Sequence, residues 1–246
     1  MALRRGRRVL AIDLDPQGQL GKVLGVDARA ARRSAIDLLL DPAPDDASLD
    51  GAPAGDLPWV ATRIAGLDLV VANKALALAP AWDAPADDPT GRLRAGLARS
   101  RALRGYDFVL VDAPPSFGSL TLNALRAVDE VVIPVPLTYL SLDGCAELCR
   151  TMALVRSRYG HRDLRISMVI PTFYRRTRLA HELLDRLKQR FPKEIAHTLV
   201  GLHVKIDEAQ ARGLSIFEHA PGHRAATALA ALAEELELRG GENAAA

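Results

Sequence analysis

The sequence predicts an α/β fold, a doubly wound and mostly parallel sheet with helices on both faces. Three observations carry this. Short apolar runs, partly β-branched and each ended by polar or turn residues, recur along the chain. Longer segments with apolar positions at helix spacing alternate with them, the rhythm of strands whose crossovers cover a sheet. A chain of 246 residues, 49% hydrophobic and 25% charged, is also long enough to bury one core of this kind, so a single domain over 1–246 is expected.

In chain order, M-A-L-R-R-G-R-R lacks the apolar centre of a signal peptide. Its four arginines directly before V-L-A-I read as a solvated helix end or loop, or as a nucleic-acid arm. Strands are predicted over 9–12, 67–71, 108–111, 130–134 and 166–170, all in one sheet. Helices are predicted over 93–103, 143–159, 179–191 and 225–238, each with one apolar stripe to lay against the sheet. Segments 41–58 and 79–89, rich in Pro, Ala, Asp and Gly, read as surface loops, and 239–246 as a frayed, disordered tail.

Bulk chemistry removes several classes of function. The 32 basic and 30 acidic side chains leave a charge of +2, so any polyanion-binding surface has to be local. Two cysteines, Cys145 and Cys149, make no disulfide framework, and at i, i+4 on a helix they read as small core side chains; both points fit a reducing cytoplasm. No run approaches the roughly 18 apolar residues of a membrane span. The predicted last helix sets an Ala/Leu stripe against Glu234, Glu235 and Glu237, an acidic face unsuited to anionic lipid.

Ligands of doubly wound folds gather beyond the carboxyl ends of the strands. Three exits stand out: Asp13-Leu14-Asp15-Pro16-Gln17-Gly18, Asp112-Ala113-Pro114-Pro115-Ser116 and Pro171-Thr172-Phe173-Tyr174. The second has the form of a Walker B, an apolar strand that delivers an anionic oxygen to a hard cation, although an Asp there can also simply cap the next turn. Asp13 and Asp15 can likewise cap the turn before Pro16. No G-x-G-x-x-G follows a strand, which argues against a dinucleotide oxidoreductase.

Taken together, these exits with Thr121-Leu122-Asn123, Ala72-Asn73, Val132-Ile133-Pro134-Val135, Leu142-Asp143-Gly144, Asp207-Glu208-Ala209 and Leu232-Ala233-Glu234-Glu235-Leu236 closely resemble the ParA/Soj branch of the MinD-like partition ATPases, in order and over nearly the whole chain. The resemblance implies a P-loop NTPase-like fold and a deviant Walker ATPase. Such a protein uses ATP and Mg2+, forms an ATP-dependent sandwich dimer, binds nonspecific DNA of the nucleoid and answers to a ParB-like protein. By motif position Asp15 orients the attacking water, Asp13 supports the magnesium shell and Asp112 is the Walker B aspartate and metal residue. Pro114, Pro115 and Ser116 lie in the switch, while Thr172, Phe173 and Tyr174 lie near the nucleotide base. Membrane-binding relatives such as MinD end in a basic amphipathic tail, which this chain lacks.

Several positions depart from that pattern. Gly18-Gln19-Leu20-Gly21-Lys22-Val23 imitates a phosphate loop but has two residues between its glycines where four are required, and valine in place of the hydroxyl. The family's first strand, its phosphate loop and most of the following helix have no counterpart, since Met1 to Gly6 match the end of that helix. Two readings follow: a start internal to a longer chain that carries the loop, or a degenerate relative that cannot hold ATP alone and pairs with a complete ParA-like protein. Arg175 and Arg176 follow Tyr174 where the family has an aspartate, and Gly201 and Leu202 replace a proline and an arginine. Arg175, Arg176, Arg178, Lys205 and Arg212 could together form a DNA patch, or simply be solvated.

Overall fold

The computed structural model describes residues 1–40, 57–81, 88–139 and 141–244. The loops expected over 41–58 and 79–89 therefore lie largely outside the described residues, as do the last two residues of the expected tail. Two compact units emerge, Met1–Val128 and Asp129–Ala246.

In the first unit α1 (Ala2–Arg5) ends at Gly6, whose φ of 64° is the left-handed cap that glycine adopts without strain. There follow β1 (Val9–Asp13), α2 (Gln19–Val23), α3 (Ile36–Leu39), β2 (Trp59–Ala61), β3 (Leu67–Val70), α4 (Arg92–Arg99), β4 (Phe108–Asp112) and α5 (Ser119–Ala127). The sheet runs β2-β3-β1-β4, with β1 parallel to both neighbours and β2 antiparallel to β3. Flanked on both sides, β1 is buried at every position, which is why its sequence is apolar throughout from Val9 to Ile12, up to the terminal Asp13. Leu10 and Ile12 pack on one face with Leu38, Leu93, Leu97, Leu120 and Ala124 of α3, α4 and α5. Ala11 and Leu69 face the other way, towards Leu20 and Leu24 beside α2. Each fully buried Leu or Ile stabilises by about 1.5–3 kcal/mol.

The second unit holds β5 (Glu130–Pro136), α6 (Ser141–Arg158), β6 (Arg165–Thr172), α7 (Arg178–Arg190), α8 (Val204–Ala211), α9 (Ile216–His219) and α10 (Arg224–Ala244). β5 and β6 are parallel with α6 as their crossover. Ile133, Val135 and Val169 pack with Cys145 of α6 and Leu183, Leu184 and Leu187 of α7. On the other face Met168 and Ile170 meet Leu229, Leu232 and Leu236 of α10. Arg239 donates to the carbonyls of Ser167, Lys193, Glu194 and Ile195, while Glu235 accepts from the amides of His197 and Thr198.

Helices on both faces of mainly parallel strands match the expected fold class. Three local expectations change. The strands divide into a four-stranded and a two-stranded sheet, because periodicity identifies strands and not their partners. The helix expected over 93–103 stops at Arg99, where Ser100 turns extended, and a 3-10 turn over Ala102–Gly105 follows. Residues 239–244, read as a frayed tail, continue α10, with the Arg239 hydrogen bonds holding its last turns in place.

Candidate functional site

The carboxyl ends of β1 and β4 set two aspartates side by side, since Asp13 and Asp112 are register partners. Asp13 is completely buried. Its Oδ1 accepts the amide of Asp15 at 3.0 Å, and its Oδ2 has no hydrogen-bond partner. Burial pushes the Asp13 carboxyl up to about 6; the Asp15 amide opposes this and the Asp112 charge adds to it. Asp112 is also raised, by desolvation first and then by Asp15. Asp15 accepts the Gln17 amide at 2.9 Å, which shapes the turn into Gly18. Gly18, at φ 59°, precedes α2, and the Lys22 ammonium donates to the Gln17 carbonyl at 3.1 Å. The phosphate-loop look-alike thus closes on itself.

Beyond Asp112 the chain turns through Pro114, which is buried, and Pro115 and Ser116, which are exposed. The Thr121 hydroxyl, in the first turn of α5, donates towards the carbonyls of Pro114 and Ser116 and ties this turn to the helix. Asn123, two residues on, accepts from the Leu93 amide and donates to the Pro89 and Ser119 carbonyls.

An orphaned buried carboxylate oxygen beside two further carboxylates fits a hard cation, which would offset the desolvation, and the lesser repulsion, that raise Asp13. Among the described residues no group of three or more His, Cys, Asp or Glu is placed to hold a metal alone. Magnesium suits such a site, because it takes one or two carboxylates and fills its shell with water or phosphate oxygen.

The second unit contains a cavity of ≈ 290 Å³ lined by Pro134 and Pro136 at the end of β5, by Thr172 and Phe173 leaving β6, and by Leu202, His203 and Asp207. Phe173 sits at φ 54°, a left-handed conformation uncommon for an aromatic residue and of the kind that clusters at ligand sites. Thr172 and Phe173 thus share one pocket, whereas the Tyr174 hydroxyl turns to His181 Nε2 at 3.1 Å.

The AAA_31 family model, an AAA domain, matches residues 1–166. Over 238 residues, 96% of this chain and 86% of the relative, the sequence is 36% identical to the chromosome-partitioning ATPase Soj of Thermus thermophilus. It is 33% identical to the sporulation initiation inhibitor protein Soj of Bacillus subtilis, over 96% of this chain and 88% of that one. The chain belongs to the ParA/Soj family of partition ATPases. Cobyrinic acid a,c-diamide synthase of Mycobacterium smegmatis, solved with bound ADP and magnesium, is 32% identical and superposes with a TM-score of 0.62 over 76% of this chain and 71% of its own. Apo McdA of Cyanothece, 18% identical, shares the fold at a TM-score of 0.77 over 94% of this chain and 88% of its own.

Of the cations expected to form a patch, this ParA/Soj-family chain pairs three with its own acids. Arg178 meets Glu182 at 3.0 Å, and Lys205 meets Glu208 at 2.7 Å with Arg212 at 3.7 Å from the same carboxylate. The Lys205 hydrogen bond, followed by that from His219, holds Glu208 down at about 2. Arg175 and Arg176 are exposed and make no ion pair among the described residues. The spacings Lys205–Glu208, Glu208–Arg212 and Arg178–Glu182 are i, i+3 or i, i+4, a signal from which this pairing could have been read. Leu202, His203 and Asp207 were not expected in the pocket, since nothing local in their sequence marks it.

Proposed function

We propose that this chain serves a chromosome- or plasmid-partitioning ATPase, an ATP-dependent dimer that binds nonspecific DNA and a ParB-like partner to segregate or position cargo. The acidic cluster at the ends of β1 and β4 carries the reading. Asp13 and Asp112 would hold Mg2+, which when bound neutralises charge on the phosphates. Asp15, on the turn that leaves β1, orients the attacking water. The Pro114-Pro115-Ser116 turn, tied to α5 through Thr121, responds to the γ-phosphate. Thr172 and Phe173 take the base, and Tyr174 supports their turn through His181. Arg175 and Arg176 are the leading phosphate contacts to DNA, with Arg178, Lys205 and Arg212 contributing only when released from Glu182 and Glu208. Both units act together as one ParA-like domain, cytoplasmic and nucleoid-associated.

The second reading is a non-catalytic binding module that pairs with a complete ParA-like protein. It is favoured by one observation, that these 246 residues contain no G-x-x-x-x-G-K-[ST] to cradle a triphosphate. Titration with Mg-ATP of this chain beside one extended to the nearest upstream in-frame start separates the two. Binding by the extended chain alone supports the ATPase, and Asp15→Ala in it should then trap an ATP-bound dimer; unchanged turnover in that variant would refute the role of Asp15. If no phosphate loop is encoded upstream and neither chain binds, the binding module stands.

A further inference from the structure

The outer side of α7 carries cations that neither the core nor the strand-end site uses. Its inner side, Leu183, Leu184 and Leu187, packs with Ile133 and Val135 of β5 and Val169 of β6. Phe191 closes the helix, its amide donating to the Leu187 carbonyl at 2.8 Å. Arg186, Lys188, Arg190 and Lys193 are all exposed, and no acid stands between Arg186 and Lys193. Four residues apart, Arg186 and Arg190 share one flank of the helix, whereas Lys188 lies about 200° round the axis from each.

Structural duties do not account for this flank. Lys188 and Arg190 in the last turn complement the negative end of the helix macrodipole, but Arg186 precedes that turn and Lys193 lies beyond it. Arg186 and Arg190 repel each other at i, i+4, and the acid one turn before Arg186, Glu182, is taken by Arg178 at 3.0 Å. Asp185 lies about 100° round the helix from Arg186. None of Arg186, Arg190 and Lys193 forms an ion pair among the described residues. The Arg190 guanidinium stands instead over the Phe191 ring at 5.5 Å, which orients the group and leaves its N–H donors for an outside acceptor. Lys193 is fixed through its backbone, since its carbonyl accepts from Arg239 at 3.2 Å.

The chemistry of the flank selects its partner. From Ala180 to Gly201 no large apolar side chain is exposed, so nothing there could fill the apolar centre of a protein interface or enter a lipid surface. Fixed cations without an apolar anchor suit a phosphate backbone. Arg175 and Arg176 stand just before the other end of α7, whose 13 residues separate them from Arg190 by about 20 Å, the length of roughly six base pairs of duplex. We propose that Arg186, Arg190 and Lys193 form a second phosphate-contact cluster, which together with Arg175 and Arg176 lays α7 along a DNA duplex. The proposal rests on the reading that the chain binds nonspecific DNA.

Binding of the full chain to a fluorescein-labelled duplex of mixed sequence is followed by anisotropy over a series of salt concentrations. Arg186→Ala, Arg190→Ala and Lys193→Ala combined should flatten the slope of log K against log salt by about 2.7, at about 0.9 per phosphate contact, and weaken low-salt binding about ten-fold. Arg190→Ala alone should flatten it by about 0.9, while Lys188→Ala, an equal loss of charge on the other flank, should leave it unchanged. Arg186→Lys with Arg190→Lys should keep the slope, because a phosphate contact needs the charge more than the shape of the side chain. Circular dichroism and urea midpoints check that every variant is folded. If the triple variant keeps the full slope while Arg175→Ala with Arg176→Ala lowers it, the α7 cluster is not on the DNA and only the DNA-binding reading survives. Equal flattening by Lys188→Ala and Arg190→Ala would show an effect of net charge and overturn the cluster. Loss of binding to poly-glutamate with DNA binding intact would assign the flank to an acidic protein instead. If the unsubstituted chain does not bind the duplex even at low salt, both readings fall together.

Discussion

Replacing Asp13 by Asn should make the protein more stable at neutral pH and should not do so in acid. Asp13 is fully buried, one oxygen has no partner, and its carboxyl titrates near 6 where an unfolded aspartate titrates near 3.8. At 1.36 kcal/mol per pH unit, that gap is about 3 kcal/mol of native-state penalty for holding the ionised form. The native state binds this proton more tightly than the unfolded chain does, so stability contributed by the group is present below about pH 4, falls as pH rises from 4 to 6, and is fully lost above 6. Asparagine keeps an oxygen for the Asp15 amide and removes the charge. Urea denaturation in magnesium-free buffer should show Asp13→Asn gaining up to about 3 kcal/mol at pH 7.5 and close to nothing at pH 4. The same gain at both pH values, or none at pH 7.5, would mean that the strand ends do not force this carboxylate out of water beside its neighbours.

Two substitutions test the backbone around the sites. Gly96 lies inside α4, where alanine ordinarily stabilises a helix by up to about 1 kcal/mol, but a Cβ there would come within 2.4 Å of the Leu38 carbonyl oxygen. Gly96→Ala is therefore expected to destabilise by about 1–3 kcal/mol in urea, and a more stable variant would contradict the close approach of α3 to α4. Phe173→Gly should raise stability by about 1 kcal/mol, because φ 54° is strained for Phe and free for Gly, while weakening adenosine binding by removing one wall of the pocket. A marked loss of stability would show that the side chain, half exposed as it is, packs more than it strains.

What could be read in advance follows the range of the forces involved. The apolar run of β1 from Val9 to Ile12 declares a strand buried on both faces, and Asp13 and Asp112 at strand ends follow from chain direction alone. β2 does not declare itself: Trp59, Val60 and Ala61 are held in a strand by pairing with β3, not by any alternation of their own. The same holds for the pocket. Gly201 and His203 meet Pro134 and Phe173 only because Tyr174 bridges to Gly201 beside the end of β6, and a contact between distant segments leaves no local periodicity. The paired state of Lys205 and Arg212 is the opposite case, written in plain helical spacing to Glu208 and obscured by counting cations without their neighbours.

The Arg239 clamp reaches further than its place near the chain end suggests. It fastens the stretch that borders β6, where the Val169 amide donates to the Glu194 carbonyl and the Ala196 amide donates to the Val169 carbonyl, and β6 runs directly on to Phe173. A purification handle or fusion partner that unseats this guanidinium would disturb the strand that carries one rim of the cavity without altering a single residue that lines it. Affinities measured on tagged and untagged protein could then disagree, and the discrepancy would come from the anchorage of β6, not from recognition of the ligand.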